Sequence, residues 1–90
     1  RAHVILLDIG GTSFSSEGIA SFMSERMNEG VSHIVFIIGG SLGVSPEVRA
    51  RAATRMSLGR ITLPHNLARV VLGEQIYRAF RIIRNEPYHK

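Results

Sequence analysis

The apolar positions of this chain fall into two continuous runs and two periodic stretches, and that contrast predicts its elements. From His3 to Leu7 the run is unbroken and closes on Asp8 and Gly10-Gly11-Thr12, which predicts a buried strand ending in a loop. Ser15 and Ser16 are candidate N-caps with Glu17 in the first turn. Ile19, Ala20, Phe22, Met23 and Met27 then recur at helical spacing until Asn28-Glu29-Gly30. Ile34 to Ile38, β-branched residues and a phenylalanine, predicts a second fully buried strand running into Gly39-Gly40-Ser41-Leu42-Gly43. Strand, helix, strand is a βαβ unit, whose right-handed crossover makes the strands parallel.

Ser45 caps a short helix that starts at Pro46, carries Glu47 near its positive end and extends through Ala53. Arg55 to Leu58 is a brief third strand. After Leu63-Pro64-His65 the longest periodic stretch predicts a helix from about Asn66 to Arg84. Ala68, Leu72, Ile76, Ala79, Phe80 and Ile83 form its apolar stripe, widened on both flanks by Leu67, Val70, Val71 and Ile82 so that both flanks read as buried. Glu74 and Arg78 make a favourable i,i+4 pair. So wide an apolar surface predicts contact with the sheet on one side and with a partner subunit on the other. Asn85 to Lys90 is a polar tail. No repeat, low-complexity tract or linker interrupts the pattern.

Length narrows the picture. Ninety residues fit one domain, 1–90, and a chain of this size hides only roughly 60–68% of its unfolded surface. A composition of 44% hydrophobic and 20% charged residues suits a folded chain and excludes intrinsic disorder. The absence of cysteine excludes disulfides, thiolate metal sites and cysteine nucleophiles, so the thin core is expected to be supplemented by self-association. The apolar runs are far shorter than the roughly 20 residues that span a bilayer, and no signal peptide stands at the front. The expected compartment is the cytoplasm. The first residue is Arg1, as expected of a chain that was processed or cut from something longer.

Charge is divided unevenly. Residues 1–45 set Arg1 and Arg26 against Asp8, Glu17, Glu25 and Glu29, whereas the basic residues from Arg49 to Lys90 outnumber Glu47, Glu74 and Glu86. All but one of the eleven basic residues are arginine, which pairs phosphate bidentately and stacks on bases, so an RNA or nucleotide partner is one reading. Solvated arginines on helix faces explain the charge equally well.

The glycine loop of residues 39–43 follows a parallel strand at its carboxyl end, where ligands bind in open α/β sheets. It is neither a Walker loop nor a dinucleotide fingerprint, and a tight turn explains it as well as a ligand does. His3 and His33 precede strands and read as edge or turn residues, while His65 precedes the long helix and His89 adjoins Tyr88 in the tail. No histidine pair has metal-ligand spacing, so no metal is expected. No nucleophile elbow or carboxylate pair points to hydrolysis.

Taken in order, several segments become specific. They are Phe36 to Val48, Met56-Ser57-Leu58-Gly59-Arg60-Ile61-Thr62-Leu63-Pro64-His65, Leu67-Ala68-Arg69-Val70, Glu74-Gln75-Ile76-Tyr77-Arg78-Ala79 and Pro87-Tyr88-His89. Together they resemble the RlmH family, SPOUT-class methyltransferases that act on a pseudouridine of large-subunit ribosomal RNA, over essentially the whole chain. The resemblance implies an α/β fold, a parallel sheet with flanking helices whose C-terminal part is tied in a deep trefoil knot. It implies S-adenosylmethionine in that knot and a homodimer packed across the long helices. The family's cofactor contacts fall on Leu7, Gly39, Leu58, Gly59, Arg60, Ile61, Thr62 and Leu63.

The implied reaction transfers a methyl group to N3 of pseudouridine, with the ribosome or its RNA as partner and no membrane involved. His65, Arg69, Tyr88 and His89 are the residues the resemblance brings near the base, with His89 or water taking the N3 proton. In the structural alternative His65 caps the helix and Tyr88-His89 pins the tail to the partner subunit. Departures exist at Gly10, Ser41, Gly59 and Arg60, where relatives tend to carry other residues. Relatives also have an N-terminal portion nearly as long as this chain, and its absence predicts an exposed sheet edge beside the first strand. The alternative function is a truncated, non-catalytic knotted dimer that binds cofactor or RNA without turnover.

Overall fold

A parallel strand pair requires a crossover, and the helix after the first strand supplies it. The computed structural model describes residues 1–39 and 43–87; Gly40, Ser41, Leu42, Tyr88 and His89, which the sequence singles out, lie outside these. The elements run β1 (Ala2–Ser13), α1 (Ser16–Asn28), β2 (His33–Ile38), α2 (Pro46–Arg51), β3 (Thr54–Ser57) and α3 (His65–Ile83). Both expected serine caps form: Ser15 Oγ accepts from the Gly18 amide at 2.9 Å and Ser45 Oγ from the Val48 amide at 3.2 Å. The short helix stops at Arg51 rather than Ala53, because Ala52 takes an extended conformation with ψ of 121° and leads into β3.

The three strands are parallel in the order β2-β1-β3. The first strand is therefore the middle of the sheet, and the expected open edge beside it is occupied on both sides. The edges belong to β2 and β3. Ile34 to Ile38 is correspondingly not a fully buried strand: none of its residues is completely hidden, and Val35 is 42% exposed. An apolar run reports the hydrophobicity of a strand, whereas burial depends on its neighbours.

Alternation sorts the strands' side chains onto two faces. Ile5 and Met56 join Ile19, Ala20, Met23 and Ala79 in the core, with Leu7, Ile34, Phe36, Ile76 and Phe80 packed against them. Helices α1 and α3 thus lie together over one face of the sheet. Leu72 and Ala79 turn inward from α3, but Leu67 and Val70 do not extend the buried stripe, being 48% and 67% exposed. His3 is a mid-sheet residue rather than an edge or turn residue: its Nε2 lies 2.9 Å from Thr54 Oγ1 and its ring meets Phe22 edge-on. Burial, aided by the Arg26 charge, holds its pKa below the ordinary value. His33, by contrast, is exposed at the start of β2.

The strand β1 also continues through the expected loop. Leu7 and Thr12 both register with Met56, so the residues between them bulge out of the ladder. Glycine makes this possible at Gly11, where a Cβ would meet the Arg55 carbonyl carbon at 2.6 Å and its oxygen at 2.7 Å. Those are main-chain atoms of a paired strand, which cannot swing aside. Replacing Gly11 with Ala is expected to cost about 1–3 kcal/mol, whereas Gly10→Ala meets nothing closer than 3.8 Å and should be close to neutral. Thermal unfolding of the two variants checks this; equal melting temperatures would refute the close-approach account.

Candidate functional site

The bulge lies where the carboxyl ends of β1 and β2 open toward the segment after β3. Between them is a cavity of about 310 Å³, near the lower end of the ~300–1,000 Å³ typical of small-molecule sites. Its walls include Leu6, Leu7, Asp8 and Ile9 from β1, Ile38 and Gly39 from β2, and Leu58, Gly59, Ile61, Thr62 and Leu63 from the segment after β3. Gly43, Val44, Arg49 and Ala68 complete it. Parallel strands aim all their carboxyl ends the same way, so residues far apart in sequence share one wall.

Seven of the positions singled out by the family resemblance therefore come together: Leu7, Gly39, Leu58, Gly59, Ile61, Thr62 and Leu63. Arg60 is exposed and does not line the cavity. The segment after β3 is set by Ser57, which is buried, donates to the Gly59 carbonyl at 2.9 Å and accepts from the Gly59 amide at 3.0 Å. Gly59 turns there with φ of 120°, a conformation side chains oppose. Gly39 is constrained by packing instead, since a Cβ on it would approach Val44 Cγ1 to 2.9 Å.

His65 is the first residue of α3, and its Nδ1 lies 3.2 Å from the Gly39 carbonyl oxygen. A carbonyl only accepts, so Nδ1 carries a proton in this contact. His65 does not cap the helix: Pro64 is the N-cap residue, with no side-chain cap bond. Arg69 stands four residues further along the same helix face, is exposed, and is not part of the cavity wall.

Sequence reasoning missed Asp8 and Arg49. Asp8 Oδ2 accepts from Arg49 Nη1 at 2.9 Å and from Arg55 Nη1 at 3.2 Å, while Oδ1 accepts from the Gly10 amide at 3.2 Å. The Gly10 amide first, and the Arg49 guanidinium after it, hold the Asp8 carboxyl below its ordinary pKa. One signal was present, an ionised residue ending an apolar strand; nothing local marked its arginine partners, which lie 41 and 47 residues away. Among the described residues no group of three or more His, Cys, Asp or Glu is arranged to hold a metal ion.

Because the folded Asp8 pKa is depressed, its contribution to stability is complete above the ordinary value of 3.8 and is lost as pH falls through the folded value. Asp8→Asn is expected to flatten this part of the acid limb in denaturant titrations across pH. Arg49→Met should raise the Asp8 pKa only part of the way, since the Gly10 amide bond remains. A carboxyl carbon NMR titration reads both outcomes, and an unshifted Asp8 in the Arg49 variant would remove the ion pair from the account.

The family described as "Predicted SPOUT methyltransferase" matches residues 1–89. Proteins called ribosomal RNA large subunit methyltransferase H are similar along the chain. That of Carboxydothermus hydrogenoformans is 59% identical over 89 residues, covering 99% of this chain and 56% of the relative. That of Symbiobacterium thermophilum is 53% identical over 90 residues, covering 100% of this chain and 56% of the relative. For Listeria monocytogenes serotype 4a the identity is 55% over 89 residues, again 99% and 56%. The chain thus spans little more than half the length of the relatives it matches. With the family matched from the first strand to the end of the last helix and beyond, the chain belongs to the SPOUT methyltransferases.

Proposed function

We propose that this chain is the cofactor-binding part of an S-adenosylmethionine-dependent methyltransferase that modifies N3 of a pseudouridine in large-subunit ribosomal RNA. The observation that carries the reading is the convergence of strand-end residues on one cavity in a SPOUT-family chain. The name shared by its relatives supplies the RNA. The cavity suits the cofactor chemically: Leu7, Leu58, Ile61 and Leu63 offer apolar walls for a purine, and Gly39 and Gly59 line it beside them without side chains.

When bound, S-adenosylmethionine supplies an electrophilic methyl group for in-line transfer. The protein's task is then alignment and acceptance of the N3 proton. In this reading Leu7, Gly39 and the segment Leu58 to Leu63, Arg60 included, hold the cofactor. His65 and Arg69 border the target base at the start of α3, and Tyr88 and His89 complete its surroundings, with His89 or water accepting the proton. In the same reading the C-terminal part of the chain is tied in the family's trefoil knot.

Two copies pack across α3 in the same reading. Its support is a solvent-facing stripe in the single chain, where Leu67, Val70 and Tyr77 are 48%, 67% and 50% exposed. Glu74 and Arg81 share that side of the helix by spacing. An assembled large subunit is the proposed form of the RNA partner.

Incubating the chain with labelled cofactor and ribosomes lacking the modification tests the proposal. Label in pseudouridine N3 is the expected result; cofactor binding without transfer would overturn the enzymatic reading in favour of a binding dimer. If His89 is the base, His89→Ala should lower kcat by about 10²–10⁴-fold while cofactor affinity is retained. Full methylation by that variant would take His89 off the catalytic list.

A further inference from the structure

The residues that line the cavity are apolar or glycine apart from Thr62, Asp8 and Arg49. Asp8 and Arg49 are the two ionised side chains among the described residues that line it. They touch each other at 2.9 Å, and Arg55, which does not line the cavity, braces the same Asp8 oxygen at 3.2 Å. Three elements meet there, because Asp8 belongs to the β1 bulge, Arg49 to α2 and Arg55 to β3.

Stability alone is a weak reason for this cluster. Arg49 and Arg55 are 49% and 52% exposed, and ion pairs so open to water contribute little. The charge is also unbalanced, with two guanidinium groups against one carboxylate. A second carboxylate would restore the balance, and a guanidinium can take one bidentately. A carboxylate has about four lone-pair sites. Asp8 uses two on Oδ2 and one on Oδ1, leaving room for one further donor.

We infer that Arg49 and Asp8 form a subsite for the zwitterionic α-amino acid end of the cofactor, Arg49 receiving its carboxylate and Asp8 its ammonium group. The inference rests on the cofactor reading proposed above and adds to it the two residues that recognise the methionine portion. The apolar walls and glycines hold the nucleoside, and the charged side of the cavity selects ligands that carry the amino acid. Asp8 is kept ionised at neutral pH by the Gly10 amide and the arginines, so it is ready to accept.

Calorimetric titration of the chain with two product-like ligands tests this without any turnover. S-adenosylhomocysteine carries the amino acid end; 5′-methylthioadenosine has the same nucleoside and thioether but lacks it. The wild-type chain should bind the first more tightly by about 10–100-fold, the range expected of charge-assisted hydrogen bonds. Arg49→Met should remove most of that preference while binding methylthioadenosine unchanged, and Arg49→Lys should restore part of it. Equal weakening of both ligands, or of neither, would overturn the subsite. Should the variants fail to fold, the wild-type chain still decides: the methyl ester of S-adenosylhomocysteine should bind about as weakly as methylthioadenosine, and an ester as tight as the acid would refute the carboxylate contact. If wild type binds neither nucleoside, the failure belongs to the cofactor reading itself.

Discussion

The parallel pairing of β1 on both of its edges is the constraint on which the rest of the structure depends. A central strand with Ile5 wholly hidden, flanked by Ile34 and Phe36 of β2 and Met56 of β3, gives α1 and α3 a surface to cover. Parallel direction then forces every strand's carboxyl end to the same side, and the connecting segments have to meet there. The site is thus a consequence of strand direction before any particular side chain is considered.

The same strand is modified where it reaches the site. Its bulge between Leu7 and Thr12 interrupts the ladder with β3, and Gly11 lets the two backbones stay in contact across it. One result is structural: β1 returns to the ladder and continues to Ser13. Another is chemical, because the bulge turns Asp8 into reach of Arg49 and Arg55. Bulges commonly re-aim side chains near binding sites, and here the re-aimed group is the carboxylate of the cavity wall.

Much of the local architecture was legible because it is decided by neighbours in sequence. Ser15 and Ser45 cap their helices with side chains that reach amides three residues on, and the periodic stretch of α3 agrees with its observed ends to within a residue. The cavity positions Leu7, Gly39 and Leu58 to Leu63 were identified by family resemblance and by their places at strand ends, and all except Arg60 line the observed cavity. What escaped depends on distance. The apolar runs in β1 and β2 look alike, yet one is central and the other an edge. Gly10-Gly11-Thr12 has loop composition but belongs to a strand. His65 resembled a cap, and the contact it makes is with Gly39, 26 residues away.

The sequence by itself determined the βαβ order, the helix caps, the parallel sense of the sheet and the family, because hydrophobic period, capping chemistry and ordered motifs are local properties read along one chain. Only the tertiary structure decided which strand is central, that the chain's first glycine pair lies in a bulge, and that Asp8 shares the cavity wall with Arg49. Those outcomes depend on backbone approach and on ion pairing between elements tens of residues apart. No window along the sequence contains both partners.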